Sequence, residues 1–430
     1  MVKAVSRYLA VPLYLLSTPL FATDLLRLSG SAVGDGAGGL TGLGPNIQTA
    51  LLSNPALMSD IDDGVSLSLT TMMVNAGFTS RLGEVAKADR GPGILPGIGI
   101  KGRAGDSGLS WGAGLVVRAA LRAEFTFTDP PGTAAVSYGR QRHLSEWVIA
   151  SAVGAVSYRL SERLSAGVSL GLAYNRNRLQ APYVFQSHPV LRGLKVLVDL
   201  DADDIALTGN LGLDWAVSDS LRFNLGYVQE TGFSADGSAT GNLGQLGLGI
   251  PETFSYDAKV ETALPAVMVA GLTWRATERL TLGLQLDRVF WETAFDELPI
   301  RLTTGSNTAL NSFLGATHIF DTAPLDWRDQ DSVHLGGEYR LPAGGKLRLG
   351  YEGSESPVPR RTFTPMTGAI LDEAYSIGLR FDLNGRDYDV AYRFSRGDDF
   401  FVADSGLAGG EYANTSLSLK LHSFSLSFRL

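Results

Sequence analysis

Two polar residues, His143 and Ser145, are of the types and at the spacing that nucleophilic catalysis uses. They stand two positions apart where a predicted strand begins, so their side chains share one face. Together with an acid, a serine and a histidine near a membrane would hydrolyse a lipid ester. Polar residues of this kind are also common next to loops, and this simpler interpretation is preferred. We therefore predict no catalytic residues.

Acidic residues and glycines suggest two further sites, and the sequence argues against both. Asp60, Asp62 and Asp63 offer oxygen ligands for calcium, but such short runs are typical of solvated turns. Residues 34–39 match the Gly-x-Gly-x-x-Gly pattern of dinucleotide-binding loops, which must follow a strand, and none precedes them here. The chain has no Cys, which excludes a thiolate metal site. We expect neither a metal nor a cofactor.

Two arginines are the candidates for binding an anionic ligand. Between residues 111 and 125, small or apolar residues alternate with Arg118, Arg122 and Glu124. Alternation gives a strand two faces, and an arginine facing lipid at mid-bilayer would cost about 2–4 kcal/mol. Arg118 and Arg122 are therefore predicted to face the interior of a barrel. There they would bind a carboxylate by charge-assisted hydrogen bonds or, as the alternative, pair with acids such as Glu124.

The strands that must position these residues can be recognised in the sequence because apolar and polar residues alternate along them. Apolar and polar residues alternate most clearly in 221–227, 280–287, 387–394 and 424–430. A soluble sandwich would bury the apolar faces in a core, whereas an outer-membrane barrel would turn them toward lipid. The alternating segments are about 10–17 residues long, which exceeds the roughly 5–6 residues of soluble strands and suits tilted membrane spans.

Short and long connections alternate along the chain, as they do in outer-membrane barrels. The turns at 161–163, 218–220 and 277–279 are predicted to be periplasmic, and the connections 181–203 and 294–327 extracellular. Aromatic residues near strand ends fit girdles at the membrane surfaces, and these are Trp147, Trp215, Trp274, Trp291 and Tyr339. The predicted fold is all-β, a transmembrane antiparallel barrel of about 14 strands.

The N-terminus and the charge further limit the class of protein. Residues 1–22 combine Lys3 and Arg7, a short apolar run and a small final residue, as a secretory signal peptide does. Residues 23–60 are rich in glycine and are predicted to plug a barrel formed by residues 61–430. With 36 basic and 44 acidic residues, the net charge of −8 argues against nucleic acid as a partner.

The order of these features resembles the FadL/TodX family of outer-membrane transporters for long-chain fatty acids and other hydrophobic compounds. A glycine-rich segment precedes Asn54-Pro55-Ala56 and the alternating strands, as in that family. Residues 350–359 (GYEGSESPVP) resemble its strand end that runs into a Ser-Pro-Val-Pro loop, and Trp111 to Gly114 resembles the start of its third strand. The resemblance implies a fourteen-stranded barrel in which the Asn-Pro-Ala motif belongs to an N-terminal hatch.

The resemblance also implies a function and a route. A long-chain fatty acid or another hydrophobic small molecule would cross the outer membrane passively, rest in an apolar pocket against the hatch and leave sideways. The family has a glycine in its third strand where this chain has Ala120, which marks the predicted lateral-opening strand. Outer-membrane lipid and lipopolysaccharide are the expected surroundings, and the expected state is a monomer. A general porin and a barrel lipid hydrolase are the alternatives.

Overall fold

The computed structural model describes residues 26, 28–88, 92–132, 135–342, 344–368 and 370–430. The predicted signal peptide, residues 1–22, lies outside them. Within them, no helix has the length and apolar character needed to cross a membrane. Strands make up most of the described chain.

The first ten strands are β1 (Gly64–Thr79), β2 (Val85–Lys87), β3 (Gly93–Arg103), β4 (Leu109–Thr128), β5 (Arg140–Ser161), β6 (Leu164–Val184), β7 (Lys195–Ala216), β8 (Leu221–Val228), β9 (Thr231–Asn242) and β10 (Thr253–Leu264). The next ten are β11 (Val267–Arg275), β12 (Leu280–Val289), β13 (Glu297–Thr303), β14 (Ile319–Pro324), β15 (Gln330–Arg340), β16 (Lys346–Ser354), β17 (Glu373–Leu383), β18 (Arg386–Arg396), β19 (Phe400–Val402) and β20 (Thr415–Arg429). The helices are α1 (Ala32–Gly36), α2 (Ile47–Leu52), α3 (Trp291–Ala294) and α4 (Thr308–Leu314), with 3-10 turns at Pro55–Asp60, Gly244–Leu246 and Arg360–Thr362.

These strands form one closed antiparallel barrel with fourteen strands in its wall. Three wall strands consist of two consecutive segments each, namely β8 with β9, β10 with β11, and β12 with β13. The short strands β2, β14 and β19 are hairpin partners beyond the wall. β1 pairs with β20 from Ser66–Arg429 to Thr79–Ser416, which closes the barrel. The predicted fold is confirmed.

The wall has an apolar outer face and a mostly small or polar inner face. In β12, Leu282, Leu284 and Leu286 are 39–53% exposed on the outside, whereas Gln285 and Asp287 are buried inside. An apolar surface that surrounds a whole barrel is stable in contact with lipid and unstable in contact with water. The alternation of apolar and polar residues in the sequence therefore shows which residues face lipid and which face the lumen.

An aromatic belt lies on the outer face near the short turns. Its members are 40–49% exposed and include Trp111, Tyr158, Trp215, Trp274 and Tyr339. Rings with a polar tip are stable at a membrane surface, where one side is apolar and the other wet. The prediction was wrong for Trp147 and Trp291, which are only 4% and 1% exposed. Both pack on Phe295 inside the barrel, in a part of the lumen that is apolar.

At the end opposite the short turns, several strands continue past the wall and form a crown. The predicted connection 181–203 is therefore shorter, because β6 ends at Val184 and β7 begins at Lys195. The connection 294–327 contains β13, α4 and β14. The extensions bury an apolar cluster that includes Phe185, Val196, Val198, Phe254 and Leu302. Contacts among these side chains stabilise the strands outside lipid.

Residues 28–60, the hatch, fold inside the barrel. α1, α2 and nearly all of the 3-10 turn Pro55–Asp60 are buried. Asn46 and Asn54 start α2 and the 3-10 turn, and their side chains accept hydrogen bonds from Thr49 N and Ala56 N. The lumen is thus filled, in contrast to the open lumen of a general porin.

Candidate functional site

The second half of the hatch, residues 46–60, is fixed to the wall at Asn54-Pro55-Ala56. Asn54 has no exposed surface. Its Nδ2 donates to the backbone carbonyls of Leu213 at 3.0 Å and Leu225 at 3.2 Å, which belong to the neighbouring strands β7 and β8. A buried amide with partners on two strands holds the hatch in one position. The structure therefore places this motif inside the barrel and against the wall.

Glycines in the wall allow this close contact. A Cβ at Gly212 would lie 1.9 Å from Asn54 Oδ1, and one at Gly167 would lie 2.5 Å from Ala56 N. Only glycine lets a strand and a turn approach so closely. The same half of the hatch also belongs to an apolar cluster of ten buried residues, Ile47, Ala50, Leu51, Leu52, Leu57, Met58, Ile61, Val116, Val153 and Ala155.

The first half of the hatch, residues 28–44, is held by polar side chains of the wall. Gly38 N donates to Ser376 Oγ at 2.9 Å, and Gly38 O accepts from His334 Nδ1 at 2.7 Å. Thr41 donates from N and from Oγ1 to Gln285 Oε1, both at 2.8 Å. The small apolar cluster of this half consists of Ala37, Leu40 and Leu43. The two halves are thus attached by different kinds of contact.

An apolar cavity of about 180 Å³, the inner cavity, lies in the part of the lumen nearer the crown. Its apolar lining includes Leu121, Trp147, Leu179, Phe295, Leu298 and Met366. The rings of Trp147 and Phe295 meet edge to face with centroids 5.3 Å apart, a geometry that stabilises aromatic pairs. A cavity with this lining suits an apolar molecule. Sequence reasoning missed it in part because Trp147 was assigned to an aromatic girdle.

A second apolar cavity of about 60 Å³, the outer cavity, lies in the crown. It shares four lining residues with the inner cavity, Leu179, Tyr183, Leu200 and Ile300. Tyr183 OH donates to Asp321 Oδ2 at 2.6 Å, and burial together with the Asp321 charge raises the pKa of this phenol. The phenol therefore keeps its proton. The two cavities are adjacent, with Tyr183 at their common boundary.

A buried ion cluster ties loops together at the roof of the inner cavity. Lys195 Nζ lies 2.8 Å from both Asp129 Oδ1 and Glu411 Oε1, and it donates to Pro130 O at 2.5 Å. Glu411 also lines the inner cavity. Burial raises the pKa of Glu411 to about 7, against the opposing effect of Lys195. Sequence reasoning missed this cluster because its members come from two separate connections and from the first residue of β7.

A β-bulge in β4 decides where its arginines point. β4 and β5 pair regularly except between Val117 and Ala119, so Arg118 is one extra residue. Arg118 is 3% exposed and faces the lumen, where its Nε donates to Ser151 Oγ at 3.1 Å and its Nη1 to Asn210 Oδ1 at 3.5 Å. Within the described residues, its Nη2 has no hydrogen-bond partner and no acid lies within 4.0 Å of the guanidinium.

Past the bulge the two faces of β4 are exchanged, so the predicted inward orientation of Arg122 and Glu124 was wrong. These two residues form an ion pair of 2.5 Å on the outer face, where Arg142 also contacts Glu124. Leu121, which was expected to face lipid, lines the inner cavity instead. One inserted residue moves every later side chain to the other face. Ala120, the predicted marker of the lateral-opening strand, lies between the bulge and Arg122.

The wall is split between β3 and β4 beside this bulge. β3 pairs with β4 only as far as Ile98 and Leu115, although its pairing with β1 extends to Gly93. After Leu115, β4 no longer forms a continuous ladder with β3. In the described part of the chain, that edge of β4 makes only isolated bridges. One of them joins Leu26, next to the hatch, to Ala119. Strand edges without a neighbour leave a side gap in a barrel wall.

The residues considered for catalysis and metal binding have structural contacts. His143 stacks on Phe127 with ring centroids 3.7 Å apart, and its Nδ1 lies 3.2 Å from Gln141 O. Ser145 lines the inner cavity. No group of His, Cys, Asp or Glu in the described residues could hold a metal ion. The aspartates of the acidic run pair with the wall, Asp60 with Arg159 and Arg222, Asp62 with Arg429, and Asp63 with Lys101.

Known proteins share this architecture. The family model described as outer membrane protein transport protein (OMPP1/FadL/TodX) matches residues 27–429. A solved Pseudomonas aeruginosa FadL homologue is 16% identical with a TM-score of 0.75, over 95% of this chain and 99% of its own. The Pseudomonas putida toluene transporter TodX is 18% identical with a TM-score of 0.71, over 96% and 99%. The Ralstonia pickettii toluene transporter TbuX is 16% identical with a TM-score of 0.70, over 94% and 99%.

No curated protein sequence matches the chain. The family model nevertheless covers residues 27–429, which is nearly the whole chain, and it agrees with the resemblance read from the sequence. Its members are transport proteins and not hydrolases, and their barrel lies in the outer membrane. The chain therefore belongs to the FadL/TodX family of outer-membrane transport proteins.

Proposed function

We propose that the protein imports hydrophobic molecules passively, from the outer cavity to the inner cavity and then sideways through the split between β3 and β4. The observation that carries this proposal is the apolar inner cavity above a filled lumen, with Leu121 in its lining only three residues from the Arg118 bulge. In this proposal residues 1–22 are a signal peptide, residues 23–60 the hatch and residues 61–430 the barrel.

The route needs no source of energy. An apolar solute that leaves water gains about 25 cal/mol for each Å² of buried surface, so both cavities attract it. The lipid outside the split is also apolar, and release into it exposes no apolar surface to water. A path straight down the barrel would instead require the displacement of Asn54 and of the apolar cluster around Leu57.

A long-chain fatty acid is the first ligand that we propose. Arg118 is a buried cation beside the split, and the described residues offer it no acid as a partner. A buried unpaired charge is unfavourable, and a ligand carboxylate would provide a charge-assisted hydrogen bond. Arg118 would then contact the head group as the ligand leaves the inner cavity.

A neutral aromatic compound is the second candidate. The aromatic lining of the inner cavity, with Trp147 and Phe295 in contact, suits a planar ring. TodX and TbuX are described as toluene transporters, although their low identity shows only a common fold. For a neutral ligand, Arg118 would have a structural role.

Deletion of Arg118 tests the route. The deletion removes the extra residue, so β4 and β5 can pair without the bulge and β4 can straighten toward β3. We expect uptake of both oleate and toluene by intact cells to fall at least tenfold, while the barrel remains in the outer membrane. Wild-type uptake of both ligands by the deletion variant would contradict the side route.

Substitution of Arg118 separates the two ligand classes. Arg118→Ala keeps the bulge, and we expect it to weaken oleate binding by about 1.5–3 kcal/mol, roughly 10–150-fold, because one charge-assisted hydrogen bond is lost. Binding of oleyl alcohol should change little. Arg122→Ala is the matched control, since Arg122 lies on the same strand but on the outer face. Equal losses for acid and alcohol would show that Arg118 shapes the wall and does not bind the carboxylate.

A further inference from the structure

A polar cavity of about 60 Å³ lies between the first half of the hatch and the wall. By strand order, the wall strands β12, β15 and β16 that line it lie on the side of the barrel away from the split. Its hatch side is formed by Ser29, Asp35 and Gly39, and its wall side includes Asp287, Ser332, His334, Glu352 and Arg393. The proposed transport route uses none of these residues.

His334 of β15 is the wall residue that links this cavity to the hatch. Its Nδ1 donates to Gly38 O at 2.7 Å and lies 3.4 Å from Glu352 Oε2, and its Nε2 lies 3.0 Å from Asp287 Oδ2. Carbonyl and carboxylate oxygens only accept hydrogen bonds, and a neutral imidazole has a single N–H. Nδ1 thus makes a hydrogen bond that requires a proton, while Nε2 makes an ion contact with a carboxylate without a well-aligned hydrogen bond, and the doubly protonated imidazolium fits both.

The charges around His334 come from every element that packs against it. Asp287 on β12 and Glu352 on β16 are negative, and Arg393 on β18 pairs with Glu352 at 2.5 Å. Asp35 of the hatch lines the same cavity. If His334 lost its proton, Asp287 and Glu352 would lose one neighbouring positive charge, and Arg393 would remain as a cation beside Glu352. The loss would also turn a nitrogen lone pair toward an oxygen.

The hatch segment at His334 is built to fit against it. Gly38 and Gly39 have φ of +77° and +88°, and a Cβ at Gly39 would lie 3.0 Å from His334 Nδ1. This is a turn that glycine alone adopts easily. Leu26 lines the same polar cavity and also bridges to Ala119 at the split. The turn at His334 and the cover of the split thus belong to one short stretch of chain.

We propose that His334 is a positioning residue, a proton-dependent latch that holds the Gly38–Gly39 turn and with it residues 28–44. When His334 loses its proton, the hydrogen bond to Gly38 and the contact with Asp287 no longer form together, and this half of the hatch leaves the wall. The latch acts on the hatch whatever the ligand is. Its link to transport rests on the proposed side route, because Leu26 lies at the split.

Thiol labelling tests the latch without any transported ligand. The chain has no Cys, so a single engineered Cys has no background. Leu40→Cys reports on the first half of the hatch and Leu57→Cys on the second, since both leucines are at most 3% exposed. In nanodiscs, a methanethiosulfonate reagent would label both sites at pH 7 and pH 9.5. The Leu57→Cys rate corrects for the general effect of pH on thiols.

We expect the labelling of Leu40→Cys relative to Leu57→Cys to rise about tenfold at the higher pH, which corresponds to about 1.4 kcal/mol. His334→Gln should abolish the rise, and His334→Lys should abolish it as well because the cation is retained. His422→Gln is the matched control, since His422 bonds Tyr392 OH on the outer face and should leave the rise intact.

No rise in the parent protein, or a rise that persists in His334→Gln and His334→Lys, would overturn the latch. If the His334 variants fail to fold, Asp287→Asn takes their place, because it removes one carboxylate and should move the release to lower pH. An unchanged release in Asp287→Asn would also overturn it. Loss of uptake on deletion of Arg118 would still support the side route, so the two proposals fail separately.

Discussion

The two halves of the hatch lie in the same lumen but are attached to the wall in different ways. Residues 46–60 bury apolar side chains in a cluster of ten residues and place Asn54 between two strands. Residues 28–44 bury only Ala37, Leu40 and Leu43 as a cluster and otherwise rely on hydrogen bonds from wall side chains.

This difference shows how one short segment can both close a pore and permit release. Apolar packing over many contacts is lost only when the whole unit leaves the wall. A hydrogen bond between protein groups exchanges with water at a net cost of about 0.5–1.5 kcal/mol, so it is broken easily. The half that continues from Leu26 at the split is the half with the weaker attachment.

Truncation of Leu57 should have the largest effect. Leu57 is fully buried in the ten-residue cluster, and Leu57→Ala should lower the free energy that holds residues 46–60 by about 2–5 kcal/mol. The matched variant Leu40→Ala should cost less and should affect residues 28–44 alone. Hydrogen exchange of the hatch amides, followed by mass spectrometry, measures both. If either variant loosens both halves equally, the hatch opens as one unit.

Removal of the Asn54 amide should have an intermediate effect. Asn54→Ala leaves the carbonyls of Leu213 and Leu225 without this donor, at a cost of about 1–3 kcal/mol. We expect faster exchange in residues 46–60 and reduced uptake of hydrophobic ligand, with normal barrel assembly. Asn46→Ala, which removes only the cap of α2, should cost about 1 kcal/mol. Wild-type uptake and wild-type ion conductance in Asn54→Ala would contradict the anchoring role of this motif.

Removal of a single polar contact to the first half should have the smallest effect. Ser376→Ala deletes the hydrogen bond to Gly38 N, and we expect a loss of about 0.5–1.5 kcal/mol confined to residues 28–44. Exchange in residues 46–60 should stay at the wild-type rate. A loss in Ser376→Ala as large as that in Leu57→Ala would remove the distinction between the two halves.

The fold could be predicted from the sequence because side chains that face lipid must be apolar. Leu282, Leu284 and Leu286 alternate with polar residues over the whole of β12, and the structure exposes them as predicted. The alternation even continues in Val198, Leu200 and Ala202 of the crown, which are buried although they lie inside a range that was predicted as a loop. Asp199, Asp201 and Asp203 at the intervening positions suggested a loop. Aspartates are tolerated there because the outer face of the crown meets water and not lipid.

The candidate site could be predicted only in part, because one residue changes its geometry. The inward orientation of Arg118 followed from alternation, but the extra residue at the bulge reversed Arg122. Nothing in a run of alanines and valines marks which residue is extra. His334 and Ser376 were missed for a different reason. Polar residues on the inner face of a barrel look alike in sequence, whether they meet water or hold a hatch.

A disulfide lock on the second half of the hatch tests the side route most directly. Ser59 Oγ and Ser157 Oγ lie 2.6 Å apart, so cysteines at both positions can form a bond between hatch and wall in a chain that has no other Cys. If ligand leaves through the split, uptake of oleate and toluene should be the same in the oxidised and the reduced protein. Uptake that is lost on oxidation and restored by a reducing agent would show that the second half must move, and it would contradict lateral release.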